Sequence, residues 1–330
     1  MIDMAYKSVK KPKLIVMIPA YNEELTIEKV IKSIPRKIEG ISDVRVLVID
    51  DGSTDNTSEV ARASGADYVF KNITNLGLAR AFQKGMDMAL SLGADIIVNT
   101  DADNQYDQSE IPDLIKPILE GKADIVSGNR QVENLDHMTS AKKYGNIIGS
   151  KVVRLSAGYN IQDASSGFRA YNKEAALKLF ITSSHTYTHE TLIQAQHKNL
   201  RVIEVPVTFK KREGSDSKLI KSVYSHIKKS SSAIVRNTLM YNAFKAFSYI
   251  GISLIILGAI PFFRWLYLSY IEGQFGLHTQ SLLLGTLLIV FGGFSIFLGF
   301  IADLLAINRR HLEEILYRMK KAEFNNGSER

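Results

Sequence analysis

The chain contains no cysteine, only one tryptophan and only seven prolines in 330 residues. The absence of cysteine excludes disulfide bonds, iron–sulfur clusters and catalysis by a thiolate, and it is compatible with a reducing compartment. The first residues, Met1 to Lys13, lack the apolar core of a secretory signal peptide. We therefore expect any insertion into a membrane to come from segments inside the chain.

Charge is distributed unevenly along the chain. Residues 1–200 carry 24 basic and 25 acidic side chains, whereas residues 201–330 carry 17 basic and 9 acidic ones. A basic excess beside apolar segments favours an anionic membrane surface as the partner. Because no basic–aromatic stripe or nucleic-acid recognition module occurs, we expect no nucleic-acid partner.

Short apolar runs alternate with helix-compatible segments over the first two thirds of the chain, which predicts an α/β domain with a mainly parallel sheet. The predicted strands are Leu14–Ile18, Val44–Ile49, Asp67–Phe70, Asp95–Asn99, Asp124–Ser127 and Val202–Phe209. The predicted helices lie near 24–38, 54–64, 77–92 and 109–120, with Ser53 or Thr54 as N-cap of the second. Ligands of such sheets bind beyond the carboxyl ends of the strands.

Past Phe209 the chain becomes basic and then apolar. Residues 210–245 place basic side chains among Leu, Ile, Val and Tyr, as is typical of an amphipathic stretch on a membrane surface. Two uncharged segments follow, at Phe247–Phe263 and Thr279–Ala302. Each approaches the roughly 20 residues that cross a bilayer, the first if it extends to about Leu268.

The loop between the two apolar segments, Ile271–Gln280, has one Glu and neither Lys nor Arg, whereas both outer flanks are basic. The positive-inside rule therefore predicts a hairpin in the cell membrane with the α/β domain and both termini cytosolic. The alternative is a pair of core helices in a soluble domain. The predicted organisation is an α/β domain at 1–209, a basic interface region at 210–245, two transmembrane helices at 246–306 and a charged cytosolic tail at 307–330.

Two carboxylates, Asp101 and Asp103, directly follow the predicted buried strand Asp95–Asn99. Two carboxylates one residue apart at a strand end are costly to desolvate together without a cation. Oxygen ligands of this kind suit Mg²⁺ or Mn²⁺, which also bridge phosphate oxygens. A solvated turn or a helix cap is the alternative for an isolated Asp-x-Asp.

Two further polar turns follow the first and second predicted strands, at Pro19–Glu23 and Asp50–Asp55. A carboxylate in the second turn can accept a hydrogen bond from a base or a ribose, and Tyr21 offers a face to a base. Simple strand-to-helix turns are the alternative for each. Because all three turns fall at the same edge of the predicted sheet, we interpret them as one site.

The motifs occur in the order seen in GT-A glycosyltransferases of family 2, and the chain most resembles their polyprenyl-phosphate branch over residues 13–220. The motifs are Pro19–Glu23, Asp50–Asp55, Asn75–Gly77, Asp101–Gln105, Ser127–Arg130, Asp163–Tyr171 and Arg212–Lys218. The resemblance implies a Rossmann-like sheet domain, a nucleotide-sugar donor and a polyprenyl or dolichyl phosphate acceptor. The C-terminal hairpin also resembles members of that branch.

The resemblance also implies roles for individual residues. The predicted nucleoside contacts are Pro19, Tyr21, Glu23, Ile49 and Asp51. The predicted contacts to metal and diphosphate are Asp101, the Ala102 backbone and Asp103, with Gln105 completing the metal shell around Mg²⁺ or Mn²⁺. The predicted phosphate-binding cations are Arg130, Arg212 and Lys218; Asp103, Arg130 and Arg212 are the predicted catalytic residues. The family has glycine three residues after the equivalent of Arg212, whereas Gly214 follows after two.

The acceptor half of the predicted site is the segment Asp163–Phe168, with Asp163, Ser165, Ser166 and Gly167 as its contacts. A turn with Gly167 at positive φ is the alternative. A phosphate monoester has a second pKa of about 6 and is anionic at neutral pH, so a strong general base is dispensable. Glu190 is the candidate if a base is used, and a structural role is equally open; His185 and His189 are interpreted as structural or surface residues.

Two other functions compete with transfer to a lipid phosphate. A glycosyltransferase of the same fold with a hydroxyl acceptor is the first, but the Gln-x-x-Arg-Trp motif of processive synthases is absent, since Pro261 precedes Arg264-Trp265. A sugar-nucleotide-binding scaffold protein is the second, and the intact Asp103 and Arg130 argue against it. The sugar, the nucleotide, the lipid and the oligomeric state are not predicted.

Overall fold

A computed structural model describes residues 11–135, 138, 140–181, 187–212, 223–273 and 276–326. The chain divides into two compact units. The first consists of Met1–Ile234 together with Leu316–Arg330, and the second is Val235–Ile315. The first unit contains the sheet and therefore the predicted site.

A seven-stranded sheet forms the centre of the first unit. Its strands are β1 (Lys13–Ala20), β2 (Asp43–Asp50), β3 (Tyr68–Lys71), β4 (Ile96–Asn99), β5 (Ile125–Asn129), β6 (Arg169–Asn172) and β7 (Val202–Pro206). Their spatial order is β3-β2-β1-β4-β6-β5-β7. Strand β6 is antiparallel to β4 and β5, and the other pairs are parallel. The mainly parallel α/β sheet is confirmed, and all six predicted strands are present.

The strands are apolar on both sides because helices cover both faces of the sheet. In β1, Val16 and Ile18 pack into one core while Ile15 and Met17 pack into the other, and all four are fully buried. The second core is especially tight at α3: a Cβ at Gly85 would lie 2.3 Å from the sulfur of Met17. This close packing fixes α3 on the sheet.

Nine α-helices are assigned within the described ranges. They are α1 (Ile27–Ser33), α2 (Thr57–Ala63), α3 (Leu78–Ser91), α4 (Ile111–Leu119), α5 (Ser140–Ala157), α6 (Lys173–Lys178), α7 (Tyr187–His197), α8 (Val223–Tyr270) and α9 (Thr279–Asn326). The first four lie where helices were predicted. The predicted cap of α2 is wrong: the N-cap residue is Asn56, and the Ser53 hydroxyl instead accepts a hydrogen bond from the Asn22 backbone.

The second unit consists of the facing parts of α8 and α9. The helices include the stretches Ala243–Tyr270 and Thr279–Phe324, each of which contains an apolar run long enough to cross a membrane, and most residues of these stretches are exposed. Exposure argues against the alternative of core helices in a soluble domain. The helices approach closely at paired glycines seven residues apart: a Cβ at Gly251 would lie 2.5 Å from the Gly292 carbonyl, and one at Gly258 would lie 2.8 Å from the Gly285 carbonyl.

The end of α9 returns to the first unit. Lys320 forms an ion pair with Asp87 of α3 at 2.5 Å, and the Tyr317 hydroxyl donates to Glu174 at 2.6 Å. Tyr317 and Phe324 pack against the core that contains Phe82 of α3. These residues belong to the segment 307–330, which was predicted as a charged cytosolic tail, and they pack on the α/β domain.

Candidate active site

The three predicted polar turns meet because β2, β1 and β4 are neighbours in the sheet. The Asp51 backbone N–H donates to the Ala20 carbonyl at 2.8 Å, and the Thr54 N–H donates to the Asn22 side chain at 2.8 Å. The buried hydroxyl of Thr26 donates to the Ala102 carbonyl at 2.8 Å. These bonds join the turns after all three strands into one polar surface, as the sequence predicted.

Asp101 is half-buried at the end of β4. Burial and then the neighbouring Asp103 raise its pKa to about 7, while Arg130 and Arg212 oppose this change. Burial also raises the pKa of Asp103, and Arg212 opposes it. Burial and mutual repulsion therefore disfavour the state in which both carboxylates are ionised.

Gly167 lies directly against the Asp101 carboxylate. A Cβ at Gly167 would lie 2.9 Å from Oδ1 of Asp101 and 2.9 Å from the Tyr187 hydroxyl. Asn99 donates to the Gly167 carbonyl at 2.7 Å and to the Tyr187 hydroxyl at 2.9 Å, and Tyr106 accepts from the Gly167 N–H at 3.0 Å. The alternative, a turn with Gly167 at positive φ, is not observed; glycine is needed here because Asp101 occupies the space of a side chain.

Arg212 pairs with two carboxylates from different turns. Its Nη2 lies 2.5 Å from Oε1 of Glu23, and its Nη1 lies 3.5 Å from Oδ2 of Asp103. The three side chains are only 13–16% exposed. The structure thus brings Glu23, predicted as a nucleoside contact, to the guanidinium that was predicted to bind phosphate.

Arg130 is held rigidly by the predicted acceptor segment. Its Nε and Nη2 donate to both oxygens of Asp163 at 2.7 and 2.8 Å, Nη2 also donates to Ser165, and the guanidinium lies 5.1 Å from the centre of the Phe209 ring. Arg130 lowers the pKa of Asp163 to about 2 despite its burial. Among the described residues none accepts a hydrogen bond from Nη1 of Arg130, so these two N–H groups can bind an anion.

Asn146 of α5 supports the same segment and was not predicted from the sequence. Its amide donates to Asp163 at 3.1 Å and to Ser165 at 2.5 Å. Ser166 lies 3.4 Å from the Tyr106 hydroxyl. Of the four predicted acceptor residues, Gly167 contacts Asp101, whereas Asp163 and Ser165 contact Arg130.

The predicted nucleoside contacts lie at the ends of β1 and β2. Pro19 and Ile49 are paired in register, and Tyr21 is 37% exposed. The buried Asp51 carboxylate accepts hydrogen bonds from Asn72 and from the Leu76 and Gly77 backbones. Asp51 therefore fixes the segment that leads into α3, and its role toward a nucleoside stays a prediction.

Gln105 and Lys218 complete the predicted set. The Gln105 side chain donates to the Lys210 carbonyl at 3.1 Å, and the Lys210 N–H donates to the Gln105 carbonyl at 2.7 Å. Gln105 thus anchors the chain two residues before Arg212. Lys218 and Gly214 lie outside the described residues. Glu190, the candidate base, is buried on α7 and accepts a hydrogen bond from Gln194 at 3.2 Å.

Arg169 is a fully buried residue that the sequence analysis missed. Its guanidinium donates to Ser127, Thr191 and the carbonyls of Ala164 and Thr188. A buried guanidinium needs such partners because an unsatisfied charge is costly. Arg169 therefore ties the acceptor segment to α7. No local signal distinguishes it, since three of its four partners are 19 or more positions away in the sequence.

A divalent cation fits the residues present, although no group of three or more His, Asp or Glu that could hold a metal occurs among the described residues. Mg²⁺ is commonly bound by one or two carboxylates together with substrate phosphates. Asp101 and Asp103 provide that pair, and burial raises the pKa of both carboxyl groups. The predicted contribution of Gln105 stays a prediction.

The sheet and the paired carboxylates beyond β4 define a GT-A-like glycosyltransferase domain. A family model described as glycosyl transferase family 2 matches residues 15–180, which is half of the chain. The protein belongs to glycosyltransferase family 2. Its α/β domain is followed by two helices with apolar stretches that could span a membrane.

Named relatives share most of their length with this chain. UDP-N-acetylglucosamine–dolichyl-phosphate N-acetylglucosaminyltransferase of Methanococcus voltae is 32% identical, with 58% of this chain and 83% of the relative covered. Undecaprenyl-phosphate mannosyltransferase of Micrococcus luteus is 30% identical, with 63% and 87% covered. The crystal structure of glucosyl-3-phosphoglycerate synthase from Mycobacterium tuberculosis, with Mn²⁺, UDP-glucose and phosphoglyceric acid, has a TM-score of 0.54 at 24% identity, covering 69% of this chain and 79% of that one. This likeness shows the fold.

Proposed function

We propose that the protein transfers a hexose from a UDP- or GDP-sugar to a polyprenyl or dolichyl phosphate at the cytosolic membrane face, with Mg²⁺ or Mn²⁺. The observation that carries the proposal is the pairing of Asp101 and Asp103, with Nη1 of Arg212 3.5 Å from Oδ2 of Asp103 and the charge of Arg130 acting on Asp101. The relatives named as dolichyl- and undecaprenyl-phosphate transferases support a lipid phosphate as the acceptor.

The donor half of the site stabilises the leaving nucleoside diphosphate. When bound to Asp101 and Asp103, Mg²⁺ or Mn²⁺ supplies Lewis-acid stabilisation of the diphosphate charge. Arg130, held by Asp163, and Arg212, beside Asp103, would supply two guanidiniums to the diphosphate. Fixed positive groups of this kind favour the transition state in which negative charge develops on the leaving oxygen.

In the acceptor half, the anionic phosphate of the lipid is the nucleophile. A phosphate oxygen forms the new bond to the anomeric carbon as the bond to the diphosphate oxygen breaks, which inverts the anomeric centre. No proton has to be removed, because a phosphate monoester with a second pKa of about 6 is already ionised at neutral pH. Asp163 and Ser165 hold Arg130 at the junction of the two halves.

The two apolar helices fit an enzyme whose acceptor lies in a membrane. The basic residues of 210–245 would attract both the anionic surface and the acceptor phosphate. The exposed apolar side chains of α8 and α9 would contact lipid. The hairpin topology with both termini cytosolic remains part of this proposal.

The proposal is tested with the full chain in detergent, supplied with labelled UDP- and GDP-sugars, polyprenyl phosphate and Mn²⁺. We expect labelled lipid that disappears with EDTA and in Asp103→Ala. Asp124→Ala is the matched control, because Asp124 pairs with Arg201 at the amino ends of β5 and β7. Transfer to free sugars or glycans alone would contradict the proposal. A thermal-shift screen of nucleotide sugars with Mn²⁺ would identify the donor.

A further inference from the structure

The guanidinium of Arg212 would compete with a divalent cation for the carboxylate of Asp103. Its guanidinium spans two turns, with Nη2 at 2.5 Å from Glu23 and Nη1 at 3.5 Å from Asp103. The contact with Glu23 has hydrogen-bond geometry, whereas the longer contact with Asp103 is an ion pair alone. Arg212 is therefore bound more closely by Glu23 than by Asp103.

The backbone before Arg212 is anchored independently of these ion pairs. Lys210 and Gln105 exchange two hydrogen bonds, and Phe209 forms a β-bridge with Tyr106. A change in the Arg212 side chain consequently needs no movement of residues 209–210. The guanidinium can exchange partners by side-chain rotation.

Charge explains why such an exchange would couple two ligands. Three carboxylates, those of Glu23, Asp101 and Asp103, face two guanidiniums in a poorly hydrated site. A divalent cation added alone meets the positive charge of Arg212 close to Asp103, and the two repel. A nucleoside diphosphate brings the negative charge that offsets both the cation and the displaced guanidinium.

We propose that Arg212 is the counter-ion of Asp103 in the cation-free site, and that it gives up Asp103 to the divalent cation and turns to the donor diphosphate. This inference rests on the proposed function and concerns its order of binding. The cation alone binds weakly, and the nucleotide strengthens its binding by giving Arg212 a new partner. By linkage the cation strengthens nucleotide binding by the same factor.

The test measures Mn²⁺ binding from the free-ion EPR signal of the full chain, first without nucleotide and then with UDP or GDP. Arg212→Met removes the competing charge, so we expect Mn²⁺ alone to bind about fivefold tighter than in the wild type. With the nucleotide present we expect the wild type to bind Mn²⁺ more tightly than Arg212→Met. The factor by which the nucleotide strengthens Mn²⁺ binding should be about tenfold smaller in Arg212→Met than in the wild type. Arg212→Lys keeps the charge and should retain weak binding of Mn²⁺ alone.

Arg201→Met serves as the matched control, because Arg201 pairs with Asp124 at the amino ends of β5 and β7. It should leave the Mn²⁺ affinity unchanged, both without and with nucleotide. Arg212→Met that binds Mn²⁺ alone no more tightly than the wild type would overturn the inference while leaving the proposed function intact. Arg212→Lys that binds as tightly as Arg212→Met would also overturn it. Absence of Mn²⁺ binding by the wild type with either nucleotide would overturn the proposed function as well.

Discussion

Gly167 and Asp101 are in direct contact, and the space beside the Asp101 carboxylate exists only because Gly167 has no side chain. A Cβ at Gly167 would lie 2.9 Å from Oδ1 and 3.1 Å from Oδ2 of Asp101. The backbone of Gly167 is fixed in place, because its carbonyl accepts a hydrogen bond from Asn99 and its N–H donates to the Tyr106 hydroxyl. The segment Asp163–Phe168 and the turn Asp101–Gln105 are thus packed against each other.

Gly167→Ala should displace the Asp101 carboxylate and damage the cation site. We expect Mn²⁺ affinity to fall about tenfold or more, with a loss of stability of about 1–3 kcal/mol from overpacking. EPR titration and thermal unfolding measure the two effects. The matched control is Gly145→Ala in α5, where a Cβ meets no atom within 4 Å and helix propensity favours alanine. A normal Mn²⁺ affinity in Gly167→Ala would contradict this contact.

The raised pKa of Asp101 predicts a pH dependence for the cation-free protein. Its pKa rises from the ordinary value of 3.8 to about 7, chiefly through burial. Between these values the folded protein binds a proton that the unfolded chain does not, so stability decreases as pH rises through this window. In EDTA we expect the wild type to lose about 1 kcal/mol between pH 6 and pH 8 through this group.

Asp101→Asn isolates that contribution, because the amide cannot ionise. The variant should show a shallower decline of the melting temperature between pH 6 and pH 8, and it should gain nothing from added Mn²⁺. In the wild type, Mn²⁺ at pH 8 should restore the stability lost to ionisation. Identical pH profiles for the two proteins in EDTA would show that Asp101 ionises without penalty.

The Arg130–Asp163 pair should contribute to both stability and activity. Removing one partner of a buried pair leaves an uncompensated charge, so we expect Asp163→Asn to cost about 3 kcal/mol at pH 7 and to abolish transfer. The pKa of Asp163 is lowered to about 2, so its contribution is present above pH 3.8 and is lost as pH falls toward 2.

Asp124 provides a comparison for the buried pair. Its pKa is also lowered to about 2, chiefly by the hydrogen bond from Arg201, but Arg201 is 56% exposed. Exposed ion pairs contribute less than about 1 kcal/mol. Urea unfolding of Asp124→Asn and Asp163→Asn at pH 7 therefore separates burial from charge pairing, and equal losses would contradict this explanation.

The end of α9 should stabilise the α/β domain through the ion pair between Lys320 and Asp87. Lys320→Glu places two carboxylates together beside Phe180, so we expect faster proteolysis of α3 and a lower melting temperature. Asp87→Lys in the same chain should recover most of the loss. Met319→Glu, at a neighbouring exposed position, is the control. A Lys320→Glu chain as stable as the control would show that this contact is dispensable.

Much of the α/β domain could be predicted because buried parallel strands are apolar and polar turns follow them. Strand β6 was missed for a physical reason: it is four residues long and includes the fully buried Arg169. A buried arginine is stable only with its distant partners, among them Thr191, which no local pattern reveals. Val202–Phe209 was predicted too long, since the strand ends at Pro206 and Phe209 instead bridges Tyr106.

The paired carboxylates could be predicted because both belong to one turn, Asp101–Gln105. The contact between Glu23 and Arg212 could not, since the two residues are 189 positions apart and meet only in the folded chain. Gly167 was selected by its motif, but its contact with Asp101 required the antiparallel placement of β6 beside β4. The sequence therefore indicates which residues gather at this end of the sheet better than it indicates their contacts.

The most direct test of the proposed activity compares two acceptors of equal chain length, polyprenyl phosphate and the corresponding free polyprenol, with the full-length protein, Mn²⁺ and the donor from the thermal-shift screen. Mass spectrometry should show a glycosyl phosphate lipid from the first acceptor and no product from the second. The product should be absent in Asp103→Ala and present in Asp124→Ala. Glycosylation of the free polyprenol, or transfer by Asp103→Ala at the wild-type rate, would contradict the account.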